Sequence, residues 1–304
     1  MKQSGAQKKD QAGEGWGAAL FLAPLIIILA VFLALPIVRA AVMSVQYWYM
    51  SKPSPDGNYF VGLKNYQAVF QDSHFFNSVK VTLLYIVVTV FVRYLLGFGV
   101  ALLVNERFRG RAAARSILII PWAIPEVVAC LIWVLMYDKD YGIVNYLFSN
   151  LGLIQENVGW LQNPTAALPA AMAVNIWKGF PFVAIMLLAG LQSIPGEQYE
   201  SAAIDGANGW QKLMAITIPG IKPVAKVVFL LLIIWSIKDY AIAYCLAKGG
   251  PSRATELLTI FIQQTAFQYF DFGKAAAAGM IMLVFSILFT VFYFRVVDRK
   301  EEAV

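Results

Sequence analysis

Five ionisable residues interrupt long apolar stretches of the chain, and they are the side chains best placed to do chemistry. They are Arg93, Glu126, Lys178, Lys238 and Asp239. If these stretches cross a bilayer, each charge costs about 2.5–3.5 kcal/mol at mid-depth on the insertion scale. Three uses stay open: pairing for assembly or contact with a partner subunit, lining a path for a polar solute, and snorkelling to the membrane surface.

Aromatic residues stand beside these charges, namely Trp177, Trp235 and Tyr240. Sugar rings present C–H faces that pack on aromatic side chains, and their hydroxyls need fixed polar partners. This mixture would therefore suit a saccharide, and one excess positive charge would suit an anionic one. On helical spacing Trp235 and Asp239 share a face, which makes them the best pair for a path. The alternative is that Trp and Tyr simply favour membrane interfaces in a chain that is 14% aromatic.

The sequence offers little for catalysis, metal binding or nucleotide hydrolysis. It has one histidine, His74, and two cysteines in apolar runs, which argues against a His-based metal site and a disulfide framework. The nearest match to a phosphate-binding G-x-x-x-x-G-K-[ST] loop, at Gly273 and Lys274, lacks the first glycine and the Ser/Thr. We expect no catalytic residue, metal or cofactor in this chain, and no nucleic-acid partner, because basic residues of membrane proteins gather in loops.

The composition of the chain indicates which secondary-structure elements hold these residues. Of 304 residues, 60% are apolar and 14% charged, against about half and a quarter in a soluble domain. The apolar excess must face lipid, which excludes a soluble enzyme, a disordered chain and a secreted disulfide scaffold. Six stretches are long enough to cross a bilayer: 17–38, 81–104, 116–136, 166–191, 224–246 and 275–294. We predict an all-α polytopic membrane protein with six transmembrane helices.

Loop charges predict the orientation. The side that holds both tails and the loops after the second and fourth spans carries 13 Lys and Arg residues, against 8 on the other side. Both termini are therefore expected to be cytoplasmic. The predicted segments are a cytoplasmic tail, a first transmembrane helix, an external loop, a five-helix core and a second cytoplasmic tail, over 1–16, 17–38, 39–78, 79–294 and 295–304.

Prolines predict kinks in the third and fourth spans, at Pro121, Pro125, Pro169 and Pro181. Kinks can let helices hinge around a cavity. They can equally serve packing alone.

The cytoplasmic loop at 192–222 carries the most specific pattern. Pro195 suits the first turn of a short helix that we expect to end at Asp205. Turn residues follow, then apolar residues at helical spacing from Trp210, and Pro219 is expected to end this second helix before the fifth span. Its shape alone leaves open an amphipathic connector on the membrane surface.

The residues of this loop resemble a known family. Glu200-Ser201-Ala202, Gly206 and Ile216-Thr217-Ile218-Pro219 resemble the E-A-A–x3–G–x9–I-x-L-P signature of the membrane subunits of binding-protein-dependent ABC importers. Ser201 replaces the usual alanine and Ile218 the usual leucine, while the spacing is kept.

Other stretches resemble the carbohydrate branch of that family, the permeases for oligosaccharides and glycerol phosphate. They are 60–66, Arg115 before Ile119-Ile120-Pro121, then Trp133, Gly142 and Asn145, and Gly249-Gly250-Pro251 with Thr255. The resemblance implies a type I ABC importer permease fold in a bacterial inner membrane. It implies a second permease, two ATPase subunits that bind ATP and Mg, and an external solute-binding protein.

Site residues follow from this resemblance and from the charges. The loop helices would dock in a cleft of the ATPase, with the coupling residues Glu200, Ser201, Ala202, Asp205, Gly206, Ile216 and Pro219. The solute path would hold Arg93, Glu126, Trp177, Lys178, Trp235, Lys238, Asp239 and Tyr240. The binding protein would contact Gly249, Gly250 and Pro251.

Two other classes of protein stay open. An ion-coupled secondary transporter would need membrane carboxylates, and Glu126 and Asp239 could serve. An integral membrane enzyme would want clustered His, Cys or carboxylates near the interface. We find no internal repeat in support of the first, and the single histidine speaks against the second.

Overall fold

A computed structural model describes residues 21–298, and it is built from helices. In chain order they are α1 (Phe21–Ser44), α2 (Lys64–Phe70), α3 (Ser73–Asn105), α4 (Arg111–Leu118), α5 (Ile120–Ala123), α6 (Glu126–Met136), α7 (Ile143–Asn150), α8 (Ala167–Gln192), α9 (Gly196–Ile204), α10 (Gly209–Ile237), α11 (Ala241–Ala247), α12 (Leu258–Phe267) and α13 (Phe272–Asp298). Within these residues the extended backbone is limited to two isolated bridges, so the all-α prediction is confirmed. The tail at 1–16 and most of the tail at 295–304 lie outside the described residues.

Five of these helices, α1, α3, α8, α10 and α13, are long and apolar enough to cross a membrane. The number is six if the bent pair formed by Arg111–Ala123 and Glu126–Met136 counts as one span. Each predicted span therefore corresponds to a helix or a bent helix pair in the described part of the chain.

The third span, predicted as a helix over 116–136 that is kinked by prolines, consists of two helical segments separated by a break. Its two segments are bent by 92°. Ile124 and Pro125 between them are extended, with ψ of 131° and 141°. For Ile124 the cause is the proline that follows it, because a residue that precedes proline avoids the helical region. The predicted kink is confirmed here, and it amounts to a break.

The fifth span starts and ends earlier than predicted. Pro219 does not end a separate loop helix, because α10 runs from Gly209 through a π-helical turn at Leu213–Thr217 into the apolar stretch. A wider turn just before a proline accommodates its missing N–H and its bulky ring. The helix then stops at Ile237 and resumes at Ala241, so the predicted helix over 224–246 is interrupted.

Residues 21–71 and Thr265–Ile281 form one compact unit. The most apolar window of α1 is 0% buried within the chain, as expected of a helix that faces lipid or a partner subunit. Asn65 fixes the segment that follows, since its Nδ2 donates to the carbonyl oxygens of Ser44 at 2.9 Å and Gln46 at 2.8 Å.

Asp72–Gln264 and 282–298 form the second unit. Its main core is made by α3, α8 and α10, with Val183 and Leu187 from α8 and Leu232 from α10. A Cβ at Gly97 of α3 would lie 2.5 Å from the Cβ of Val183, so a larger residue would separate α3 from α8. Of the charged residues singled out above, Arg93 lies on α3 and Lys178 on α8, while Lys238 and Asp239 follow directly after the end of α10.

Candidate functional site

The loop between α8 and α10 folds as a short helix with a defined C-terminal cap. As predicted, α9 begins after Pro195 and ends just before Asp205. Gly206 has φ of +79°, a conformation that suits glycine. Its N–H donates to the carbonyl of Ala203 at 3.1 Å, and the N–H of Ala207 donates to the carbonyl of Ala202 at 2.8 Å. This pair of bonds is a Schellman motif.

Hydrogen bonds also fix the start of α10, which follows directly after this cap. Asn208 Oδ1 accepts from the N–H of Gln211 at 2.9 Å, and Gln211 Oε1 accepts from the N–H of Asn208 at 2.8 Å, which forms a capping box. The hydroxyl of Tyr199 in α9 lies 3.0 Å from that of Thr217 in the π-helical turn. We call residues 196–217 the coupling hairpin, after the role that the sequence resemblance implies; hydrogen bonds join its two parts at the tip and at the base.

The coupling hairpin presents a mixed surface. Among the residues predicted for coupling, those exposed are Glu200, Ser201, Asp205, Gly206 and Pro219, while Ala202 and Ile216 are half-buried. Ile204 and Trp210 stand beside them, 87% and 66% exposed. Exposed apolar side chains rimmed by charge mark a contact surface. The sequence analysis did not single out Ile204, and it placed Trp210 only on the apolar face of a helix. An apolar residue next to a helix cap is a sequence signal that could have indicated a contact surface.

A cavity of about 570 Å³ gathers most of the residues predicted for a solute path. Those that line it are Arg93, Glu126, Lys178, Trp235, Lys238, Asp239 and Tyr240. Trp177 lies elsewhere: its ring packs edge-on against Trp133, with centroids 5.5 Å apart. One residue along a helix turns a side chain by about 100°, so the neighbour of Lys178 faces another way.

Asp239 lies in the break between α10 and α11. Its Oδ2 accepts from the hydroxyl of Tyr85 at 2.8 Å and from Nδ2 of Asn175 at 2.5 Å. Because α10 ends at Ile237, the premise that Trp235 and Asp239 lie one helical turn apart is wrong, although both line the cavity. Within the described residues Asp239 makes no ion pair with a cation, so neutral donors hold it in place.

Asn175 is a cavity residue that the sequence reasoning missed. It is buried, and its Oδ1 has no hydrogen-bond partner among the described residues. The signal in the sequence is an uncharged polar residue within an apolar span.

Lys178 holds the break of the third span. Its Nζ donates to the carbonyl oxygens of Trp122 at 3.1 Å and Ile124 at 2.6 Å. A break in a spanning helix frees carbonyl groups that must be satisfied inside the protein. Lys178 therefore serves the fold as well as the cavity wall.

Arg93 is buried in α3 and is also bonded. Its Nε donates to the carbonyl of Thr89 at 3.1 Å, and its Nη2 donates to the hydroxyl of Ser236 near the end of α10. Glu126 and Lys238, by contrast, are exposed at the cavity. Arg93 and Lys178, the two buried cations of the cavity, thus both hydrogen-bond to other residues of the protein.

Aromatic rings cover one wall of the cavity. The Trp235 ring is 37% exposed and lies 4.9 Å from the Phe182 ring. Phe182 in turn lies 6.1 Å from Trp122. This wall stands near Asn175 and Asp239, so apolar faces and hydrogen-bond acceptors border the same space.

The loop after α11 is fixed by its own contacts. Thr255 Oγ1 donates to the carbonyl of Gly250 at 2.7 Å, and Gly250 and Pro251 are joined by a cis peptide. Arg253 Nη1 lies 2.6 Å from Glu256 Oε1. Burial raises the pKa of the Glu256 carboxyl, and the Arg253 guanidinium opposes that shift. Of the residues predicted to contact a binding protein, Gly249 is buried and the other two are half-buried.

Several helices long and apolar enough to cross a membrane, with a cavity lined by charged and aromatic residues, are typical of a membrane permease. The family model for the "binding-protein-dependent transport system inner membrane component" matches residues 93–302, and the chain belongs to that family.

Two relatives and one solved structure match this chain over more than nine tenths of its length. The chain is 36% identical to the trehalose/maltose transport system permease protein MalF of Thermococcus litoralis, over 91% of this chain and 92% of that protein. It is 34% identical to the sulfoquinovosyl glycerol transport system permease protein SmoG of Agrobacterium fabrum, over 93% and 91%. A bacterial ABC transporter involved in the import of the acidic polysaccharide alginate matches with a TM-score of 0.84 and 25% identity, over 96% of this chain and 99% of that chain. The fold is that of a type I ABC importer permease, and the chain is a membrane-spanning permease of this kind.

Proposed function

We propose that this permease carries a carbohydrate and that the cavity around Asn175, Trp235 and Asp239 is its solute path. The observation that supports this proposal most directly is the Oδ1 atom of buried Asn175, which has no hydrogen-bond partner among the described residues and lies beside the aromatic wall. A buried acceptor without a donor is costly. A sugar hydroxyl could supply that donor while a C–H face of the ring packs on Trp235.

Cavity size and the relatives support this reading. About 570 Å³ falls within the range of small-ligand sites. The two relatives described above are named for sugars or sugar derivatives, and the solved transporter imports an acidic polysaccharide. Arg93 and Lys178 hydrogen-bond to neutral acceptors and so keep their charges. With Lys238 against Glu126 and Asp239, the residues that line the cavity sum to one positive charge, which would suit an anionic carbohydrate.

Energy would come from separate subunits. The coupling hairpin would insert Ile204 and Trp210 into an ATPase subunit, with Glu200 meeting a cation there. ATP and Mg would be bound by two such subunits, and this chain would hold no cofactor. A second permease would complete the path, and an external binding protein would deliver the solute at the face that carries Ser252. The half of the path formed by this chain would open to one side of the membrane and then to the other as the ATPase subunits close and reopen.

Replacing Trp235 by Ala is expected to lower ATP-driven uptake roughly three- to tenfold, since one aromatic contact is worth about 0.5–1.5 kcal/mol. Basal ATP hydrolysis should change little, because the coupling hairpin is untouched. Trp177→Ala is the matched control, as Trp177 lies outside the cavity. Equal losses of uptake in the two variants would remove Trp235 from the path.

Cysteines placed at Lys8 and Ser252 are expected to react from opposite faces of the membrane. The background should lack exposed Cys245. An impermeant thiol reagent should label Ser252→Cys but not Lys8→Cys in intact cells, and both after permeabilisation. Labelling of both positions in intact cells would contradict the six-span topology with cytoplasmic termini.

Affinity purification in mild detergent separates the proposed function from its rival. A tagged chain is expected to bring down an ATPase subunit and a second permease. A chain that purifies alone and accumulates solute under an ion gradient would instead be a secondary transporter.

A further inference from the structure

Two arginines at the start of the third span reach the C-terminal ends of two other helices. Arg111 Nε at 2.9 Å and Arg115 Nη2 at 3.1 Å donate to the carbonyl of Val104, in the last turn of α3. Gln192 is the last residue of α8. With its side-chain amide oriented so that the oxygen faces the guanidinium groups, it accepts from Arg111 Nη2 at 3.2 Å and Arg115 Nη2 at 2.8 Å.

These contacts exceed what a helix cap needs. One cation suffices to satisfy the last carbonyls of a helix and its dipole. Here two guanidinium groups share the same two acceptors and join three helices at one point. Gln192 is separated from α9 by only three residues, so this point lies at the root of the coupling hairpin.

The segment Arg111–Ala123 is bonded to α8 at its other end as well. Lys178 of α8 donates to Trp122 and Ile124, where the third span breaks. Lys178 and Gln192 are 14 residues apart in one helix, which corresponds to about 21 Å. The first half of the third span is therefore attached to α8 both at the hairpin and at the cavity.

We propose that Arg111, Arg115 and Gln192 form a clamp that makes the first half of the third span follow the coupling hairpin. A displacement of α9 by a partner is passed through Gln192 to Arg111–Ala123, and so reaches Trp122 on the cavity wall together with α8. These are positioning residues that touch neither solute nor ATPase. The inference rests on the proposed coupling role of the hairpin.

The test measures movement within the assembled importer in nanodiscs. Spin labels on cysteines at Ser116 and Ser193, in a background without Cys130 and Cys245, report the distance across the clamp. With the native clamp this distance is expected to stay the same when ATP is trapped with vanadate. In the Arg111→Ala/Arg115→Ala variant it should shift by roughly 5 Å, one helical turn, in the trapped state only.

Two further variants separate the effect of the clamp from general damage to the protein. Arg107→Ala/Arg109→Ala is the matched control: both side chains are exposed and make no hydrogen bond within the described residues, so it should behave as wild type. Arg111→Lys/Arg115→Lys keeps the cations at the helix ends but loses the forked donors. It should show the same shift even if the alanine variant fails to assemble. A merely structural role would lower the yield of complex without a nucleotide-dependent shift.

Two outcomes would contradict the proposed clamp. One is a distance between positions 116 and 193 that does not change on trapping in the lysine variant. The other is a shift of the same size when the native arginines are present. A second label pair, at Ala203 in the hairpin and Lys139 beyond α6, separates this failure from failure of the proposed function. If that distance does not change on trapping, the hairpin does not couple at all; if it changes while the clamp variants match wild type, only the clamp is refuted.

Discussion

Glu200→Lys and Gly206→Pro are each expected to abolish ATP-driven transport while the protein stays in the membrane at its normal level. Glu200 is exposed on α9, so reversing its charge leaves the fold intact and places a cation where a partner would meet a carboxylate. Proline fixes φ near −65°, whereas Gly206 has φ of +79° and closes the Schellman motif. Uptake and membrane level should be measured together in the reconstituted importer.

Matched substitutions separate these effects from general damage. Glu200→Gln removes the charge without reversing it and should lose less uptake. Gly206→Asn should retain much of the activity, because asparagine tolerates the left-handed conformation at a helix C-terminus. Normal solute-stimulated ATP hydrolysis in the Glu200→Lys or Gly206→Pro complex would contradict the coupling role of the hairpin.

The second large effect is expected at Asp239. Asp239→Leu removes the acceptor for the buried hydroxyl of Tyr85 and for the amide of Asn175. Each stranded buried donor costs about 1–3 kcal/mol, and two are stranded here, so uptake should fall by more than about tenfold. Asp239→Asn keeps an acceptor of the same shape and loses only the charge-assisted strength, so it should weaken uptake less.

A double variant distinguishes a structural role of Asp239 from a role in the path. Tyr85→Phe in the Asp239→Leu background removes one of the stranded donors. If Asp239 only anchors its neighbours, this change should recover part of both the membrane level and the uptake, since the Asn175 amide stays unpaired. If Asp239 also meets the solute, the level should recover and uptake should stay low. Full uptake by Asp239→Leu alone, at the wild-type level, would contradict both roles.

Hydropathy sufficed to locate the spans, because a chain that crosses lipid must satisfy its backbone in apolar helices. It did not show that the third span is broken and the fifth interrupted, since a break inside the protein depends on contacts with other helices. The N-terminal half of the coupling loop was equally predictable, since Pro195 and Gly206 each constrain the backbone locally. Continuity of α10 through Pro219 was not, because it depends on a π-helical turn that has no clear signature in the sequence.

Contacts within the cavity were less accessible to sequence reasoning. Asp239 and Trp235 were correctly placed near each other, but for the wrong reason, because the helix ends between them. The bonds from Lys178 to Trp122 and Ile124 depend on how α8 meets the broken span, which no local pattern reveals. Trp177 shows the converse error: adjacency in sequence to a cavity residue does not place a helical residue in the same cavity.

The most direct test of the central claim is carbohydrate uptake into proteoliposomes that contain this chain with its copurified subunits. Candidate sugars are first screened for binding to the importer's own solute-binding protein, and the tightest binder is then radiolabelled for the uptake assay. We expect uptake that requires both ATP on the side of the coupling hairpin and the binding protein on the opposite side, and that is unaffected when ion gradients are collapsed. Uptake by this chain alone, driven by an ion gradient and independent of ATP, would contradict this expectation.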